Sequence, residues 1–242
     1  MEAPVRVPLV TTHLPYLDLV RRESDAIGAL LTPGQKLAAP VPHCGDWTLR
    51  DLVEHMGKGN HWAAAAITEK HGRYDVGPAP ADDAELRAWY ERSVEALMSA
   101  LATDPEADAW TFWRPRTVGF WRRRRAQETL IHRWDAQNAL GEPDPLDPAL
   151  AADGVAEVFD TMAPRQVKRE RIEAPRQAVA LRATDTGQSW SWGPGEPVAE
   201  LSGTAEALLL ALWKRLPADA PGLAWAGDRA AGQEVLAAAL TP

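Results

Sequence analysis

Cysteine is almost missing from this chain. Cys44 stands alone among 242 residues, which excludes an intrachain disulfide and a cysteine-rich zinc knuckle. Such sparing use fits a reducing compartment. Long apolar runs are missing too. Nothing approaches the roughly 20 residues that span a bilayer, and the opening Met-Glu-Ala-Pro-Val-Arg-Val-Pro lacks the apolar core of a secretory leader. A cytoplasmic protein without a membrane partner is expected. Basic excess is the third absence. The formal net charge is -8, a poor start for a nucleic-acid binder, which needs positive charge along a backbone-tracking face. Phenylalanine and tyrosine number three each, against eleven tryptophans. Codons rich in G and C favour Trp together with Ala, Arg, Pro and Gly, so this skew carries no functional signal by itself.

What is present is ordinary globular composition, 45% hydrophobic and 25% charged, in a length comfortable for two domains. Apolar residues at helical spacing run from Leu14 to Leu31, and Pro33-Gly34 is expected to end that helix. Thr48 and Asp51 make an acidic capping box that opens a second helix through His55 and Met56 towards Ile67. Gly57 and Gly59 weaken it locally or admit a close neighbour. A third helix is expected over about 84–101. A fourth, over about 118–140, is closed by Gly141. Four helices with loops between them predict a four-helix bundle. Beyond Pro145 the texture changes. Asp147-Pro148 opens a helix to about Met162. Short extended runs follow at 178–183, 189–192, 198–201 and 223–226. Helices capped by Thr204 and Asp228 are expected to reach Leu216 and Leu240. The fold class is therefore α+β: a helical domain over residues 1–146 and a small α+β domain over 147–242.

The chemistry concentrates in Glu128-Thr129-Leu130-Ile131-His132-Arg133-Trp134-Asp135. Four residues turn about 400° on a helix, so Glu128 and His132 share one face and can reach one metal ion. By itself the pair is also an ordinary solvated i,i+4 contact. A third ligand must come from another helix, and spacing does not choose it among six histidines. Two His with one carboxylate suit zinc with an open position, and also ferrous iron.

The segment Cys44-Gly45-Asp46-Trp47-Thr48-Leu49-Arg50-Asp51-Leu52-Val53-Glu54-His55 resembles the first motif of the mycothiol-dependent maleylpyruvate isomerase family, within the DinB-like metalloprotein superfamily. The segment Glu128 to Ala136, with Ala139 and Gly141, is similar to its second motif. The helix ending Leu212-Trp213-Lys214-Arg215 fits the family's C-terminal domain, which often has Gly where Lys214 stands. The resemblance implies a DinB-like bundle that binds zinc through His55, Glu128 and His132. It implies mycothiol as thiol cosubstrate. It also implies an active-site role for Arg215, which otherwise reads as a C-terminal charge suited to the helix dipole. Mycothiol belongs to actinobacteria, and the Ala- and Arg-rich composition is compatible with such a source.

Several neighbours carry two readings each. Asp51 and Asp135 either orient the ligand histidines or serve the helix cap and a helix–helix tie. Arg122 to Arg125 reads first as a solvated face, although Arg124 lies on the metal face and is a candidate for holding a substrate carboxylate or the thiol. Trp47 is a packing anchor or a pocket wall. Cys44 is expected to be buried and inert. The leading functional expectation is a zinc-dependent, mycothiol-using isomerase or S-transferase acting on a small electrophile, as monomer or homodimer. A non-catalytic binding module and a metal-dependent hydrolase are the alternatives.

Overall fold

The computed structural model describes residues 14–32, 34, 36–141 and 143–242. Pro33 lies outside the described residues. One compact unit spans Pro15–Pro145, and a second is built from Leu146–Pro242.

The first unit carries α1 (Tyr16–Ala29), α2 (Leu49–Thr68), α3 (Asp83–Leu101) and α4 (Val118–Ala139). Local chemistry fixes their starts. Thr48 Oγ1 accepts from the Asp51 amide while Asp51 Oδ2 accepts from the Thr48 amide at 2.8 Å, so the expected capping box forms. Asp82 accepts from the amides of Ala84 and Glu85 at the head of α3. Apolar stripes on these helices meet in a core of Ile27, Leu49, Leu52, Met56, Leu86 and Val94. Tyr90 lies within it and donates its hydroxyl to the Ser24 carbonyl. The glycines of α2 admit close neighbours. A Cβ on Gly57 would lie 2.1 Å from the Trp89 ring, and one on Gly59 would lie 2.9 Å from Arg125 Nη1.

α4 departs from the amphipathic pattern. Arg124, Arg125, Gln127, Thr129, His132, Arg133, Asp135 and Gln137 are all buried. Most of their polar ends pair with one another and with other helices, as burial requires, while Arg125 Nε and Gln127 Oε1 do not. Arg133 reaches Glu23 of α1 at 2.7 Å and also bonds Gln137 and the Asp144 carbonyl.

The second unit opens with α5 (Pro148–Glu157), capped by Asp147. A π-helical turn (Val158–Met162) and α6 (Ala163–Lys168) then extend the helix six residues past the expected end. Four strands follow: β1 (Ala178–Ala183), β2 (Ser189–Trp192), β3 (Pro197–Gly203) and β4 (Ala224–Gly227), in the order β2-β1-β3-β4. β1 pairs antiparallel with β2, placing Leu181 opposite Trp190, and parallel with β3, placing Leu181 beside Leu201. Gly193 turns the chain after β2 at φ +112, where a Cβ would strike the Gln177 carbonyl. α7 (Ala205–Leu212) packs on α5 and on β1 and β3, and α8 (Arg229–Ala237) lies on β3 and β1. Both helices stop short of the expected ends at Leu216 and Leu240. α7 ends because Lys214 takes a left-handed conformation at φ +60, a conformation that favours glycine. Among the described residues, no helix is long and apolar enough to cross a membrane.

Candidate metal centre

α2 and α4 run antiparallel, since His55 meets Glu128 while Asn60, further along α2, meets Arg125, earlier on α4. The three expected ligands come together there. His55 Nε2 lies 3.1 Å from Glu128 Oε1, and His132 Nε2 lies 3.4 Å from the same oxygen. The ligand atoms of the three residues all lie within 4.8 Å of one another. The imidazole rings face each other edge-on, with centroids 5.0 Å apart.

Two features prepare the group for a cation. His132 Nδ1 meets Asp135 Oδ2 at 3.0 Å, and Asp135 is fully buried. A proton on Nδ1 therefore leaves the Nε2 lone pair aimed at a carboxylate oxygen, an arrangement that needs a positive charge between them. Without a metal, a second proton can supply that charge. Burial opposes it, but Asp135, Cys44 and Glu128 together hold the His132 pKa well above its usual value. Burial likewise opposes the charge on Glu128. Hydrogen bonds with His132 and His55 and the charge of Arg124 outweigh it, holding the carboxyl well below the usual range. A divalent ion can replace the Nε2 proton. Zn–N and Zn–O bonds of about 2.0–2.2 Å in a tetrahedron set ligand edges of about 3.3–3.6 Å; the 3.4 Å separation matches them and the 3.1 Å separation is slightly shorter.

The surroundings sort the remaining expectations. Trp47 places its ring 4.8 Å from that of His55 and 6.3 Å from that of His132, so it walls the group. Arg124 Nη2 donates to Glu128 Oε2 at 2.8 Å and thereby fixes the Glu128 carboxylate. The expectation of a solvated arginine face fails for half of the run: Arg124 and Arg125 are 3% and 4% exposed, while Arg122 and Arg123 are half-buried. The stems of Arg124 and Arg125 pack in the bundle and their heads find Glu128 and Asn60. Of the two roles open to Asp51, the structure gives it the helix cap, while Asp135 has the orienting one. Cys44 departs from the expectation of burial. It is partly exposed, and its thiol donates to Asp135 Oδ2 at 3.6 Å. Arg215 belongs to the second unit, where Nη1 donates to the Trp213 carbonyl and the guanidinium lies 5.7 Å over the Trp213 ring. Arg125 and Asn60 were not singled out from the sequence. Four successive arginines look alike there, and only the glycine opposite hinted at a close approach.

With this geometry in hand, comparison with known proteins is direct. The family model "Mycothiol maleylpyruvate isomerase N-terminal domain" matches residues 17–137, and the "MDMPI C-terminal domain" model matches residues 149–234. The chain belongs to the mycothiol maleylpyruvate isomerase family. Within reach of this family, an uncharacterized protein of Mycobacterium tuberculosis is 33% identical over 144 residues, covering 56% of this chain and 73% of its own length. A second uncharacterized protein of the same organism is 27% identical over 213 residues, covering 79% and 82%. The crystal structure of the mycothiol-dependent maleylpyruvate isomerase superposes with a TM-score of 0.64 at 15% identity, covering 87% of this chain and 91% of that one. A histidine-to-alanine mutant of that enzyme gives a TM-score of 0.66. At this identity the likeness is one of fold, and it extends through both parts of the α+β architecture.

Proposed function

We propose that this chain is a cytoplasmic thiol-using enzyme, built as a helical metal domain over residues 1–146 and an α+β domain over 147–242. It holds one divalent ion, zinc foremost, on His55, Glu128 and His132, with mycothiol as cosubstrate. The observation that carries the proposal is the pair of imidazoles aimed at one Glu128 oxygen, with the second nitrogen of His132 held by buried Asp135. Membership of the family supports the thiol. Bound zinc supplies one kind of chemistry, since it favours the deprotonated form of a coordinating thiol.

The side chains do the rest. Asp135 keeps His132 in the tautomer that offers Nε2. Arg124 holds Glu128 ionised and in place. Trp47 shields one side from water and presents an apolar wall to cosubstrate or substrate. Arg215, in the second domain, is proposed as a catalytic residue on the strength of family membership. The thiolate adds to an electrophilic carbon of a small carboxylate-bearing substrate, and the displaced electron pair moves onto the conjugated carbonyl. If the pair returns after bond rotation and expels the thiolate, the net reaction is isomerisation. If the adduct is protonated and kept, it is S-transfer. Metal-assisted hydrolysis has less support, because the carboxylate next to His55 in sequence, Glu54, pairs with Lys58 at 2.6 Å. The active unit is proposed as a monomer or homodimer.

Elemental analysis of protein purified without chelator tests this. About one zinc per chain, absent from His55→Ala, is expected, together with metal-dependent reaction of mycothiol with maleylpyruvate-like electrophiles. A chain that retains its metal but turns over no thiol would be a binding module. A chain that neither holds nor takes up zinc, iron, nickel or manganese would refute the site.

A further inference from the structure

Arg125 is 4% exposed, yet among the described residues it forms no ion pair. Its one side-chain partner is neutral: Nη2 donates to Asn60 Oδ1 at 2.7 Å. Nε is buried without a partner, and Nη1 has none among the described residues. Asn60 is itself pinned, because Nδ2 donates to Ser93 Oγ, which donates to the Tyr90 carbonyl. The amide is thus locked with its oxygen towards the guanidinium. A guanidinium keeps its charge at any ordinary pH. The opposite charge that acts on it, Glu128, is hydrogen-bonded to Arg124 and not to it, and buried guanidinium N–H groups without acceptors are costly, so the arrangement calls for an acceptor anion.

Its position says which anion. Arg125 precedes Glu128 by three residues and faces Gly59, which follows His55 by four, so it lies about one helical turn, roughly 5.4 Å, along the α2–α4 contact from the proposed metal ligands. Gly59 is what leaves room there, since a Cβ would crowd Nη1 at 2.9 Å. The local charges give the count. Glu128 and Asp135 are balanced by Arg124 and Arg125, while Arg133 is matched by Glu23. A divalent ion on neutral imidazoles therefore adds two uncompensated positive charges. One thiolate answers one of them.

We propose that Arg125, oriented by Asn60, is the anchor for a carboxylate of the substrate, set one helical turn from the proposed metal ligands where α2 and α4 meet. This rests on the metal–thiol function proposed above and adds the residue that binds the second anion. Arg124 does not fill this role, because its Nη2 is committed to Glu128.

The test uses the full chain loaded with cobalt in place of zinc. Addition of mycothiol to wild type should give a thiolate-to-cobalt charge-transfer band, which reports the parent proposal. Succinate, a saturated dicarboxylate to which a thiol cannot add, is then titrated calorimetrically into the thiol complex. Arg125→Met should weaken succinate binding by about ten- to a hundredfold, the loss expected for a hydrogen-bonded charge, with the band intact. Arg125→Lys should recover part of it. Asn60→Asp puts a carboxylate against the guanidinium without removing it and should weaken succinate comparably, so it decides the matter if Arg125→Met does not fold. Unchanged succinate affinity in Asn60→Asp or a folded Arg125→Met, with a normal band, would overturn the anchor. Absence of the band in wild type would overturn the thiol proposal and the anchor with it.

Discussion

Replacing Asp135 by Asn keeps the volume of the side chain and removes its charge. Asp135 is fully buried, and its Oδ2 meets His132 Nδ1 at 3.0 Å. In that setting no solvent shields the pair, so the carboxylate acts on the imidazole at full strength. It fixes the Nδ1–H tautomer and raises the basicity of Nε2. Loss of such a partner typically weakens metal affinity about 10- to 100-fold, or about 1.4–2.7 kcal/mol. The lower end is expected for Asn, whose Oδ1 can still accept from Nδ1–H. Asp135→Ala should reach the upper end, because it leaves that N–H buried and unpaired. The assay is competition for zinc between the apo-protein and a chromophoric chelator at pH 7. The zinc-induced rise in melting temperature gives an independent measure, since stabilisation follows the ratio of free metal to Kd. Zinc affinity within twofold of wild type for a folded Asp135→Asn would refute the orienting role, and with it the argument that His132 Nε2 is prepared for a cation.

Two stability predictions follow from the bundle. Glu23→Ala strands buried Arg133, to which Glu23 is joined at 2.7 Å. A loss of about 3–5 kcal/mol is expected in urea unfolding, and a loss below 1 kcal/mol would show that Gln137 and the Asp144 carbonyl suffice. Thr48→Ala should cost about 1 kcal/mol at neutral pH by opening the α2 cap. Hydrogen bonds from the Thr48 hydroxyl and amide hold the Asp51 pKa below its usual value. A carboxyl depressed in the folded state stabilises fully above its unfolded pKa of about 3.9 and loses that contribution as pH falls through the folded value. The stability gap between wild type and Asp51→Asn should therefore be constant from pH 7 to about 5 and close below about 4. A gap that widened on acidification would contradict the cap.

The helices were legible because caps and apolar spacing coincide. Thr48-Asp51, Asp147-Pro148 and Thr204 each mark a start that the backbone uses. Glu128 and His132 were placed on one face by helix geometry alone. His55 was not, for nothing in the spacing separates it from the four histidines besides His132; the motif around it did so. Ends were harder. The π-helical turn after Glu157 and the left-handed Lys214 have no sequence signal here, and each moved a helix end. The arginine run misled for a physical reason. A charge pattern identifies a solvated face only when the charges lack partners inside, and here Glu128 and Asn60 supply them from within the bundle.

Two groups in the first unit could hold a metal, and they share His132. One is His55, Glu128 and His132; the other is Cys44, His132 and Asp135. A single imidazole offers one nitrogen to each, Nε2 to Glu128 and Nδ1 to Asp135. Exposure separates them. Side chains of His55 and Glu128 are 38% and 18% exposed, so an ion between them would keep a position open to solvent, as a catalytic zinc does. Asp135 has no exposed surface, and its Oδ2 already accepts from both His132 and the Cys44 thiol. An ion there would displace both protons and close on three buried or half-buried ligands with no room for a fourth. The second group is therefore better understood as the support of the first: Cys44 steadies Asp135, Asp135 steadies His132, and His132 presents Nε2 where His55 and Glu128 already converge.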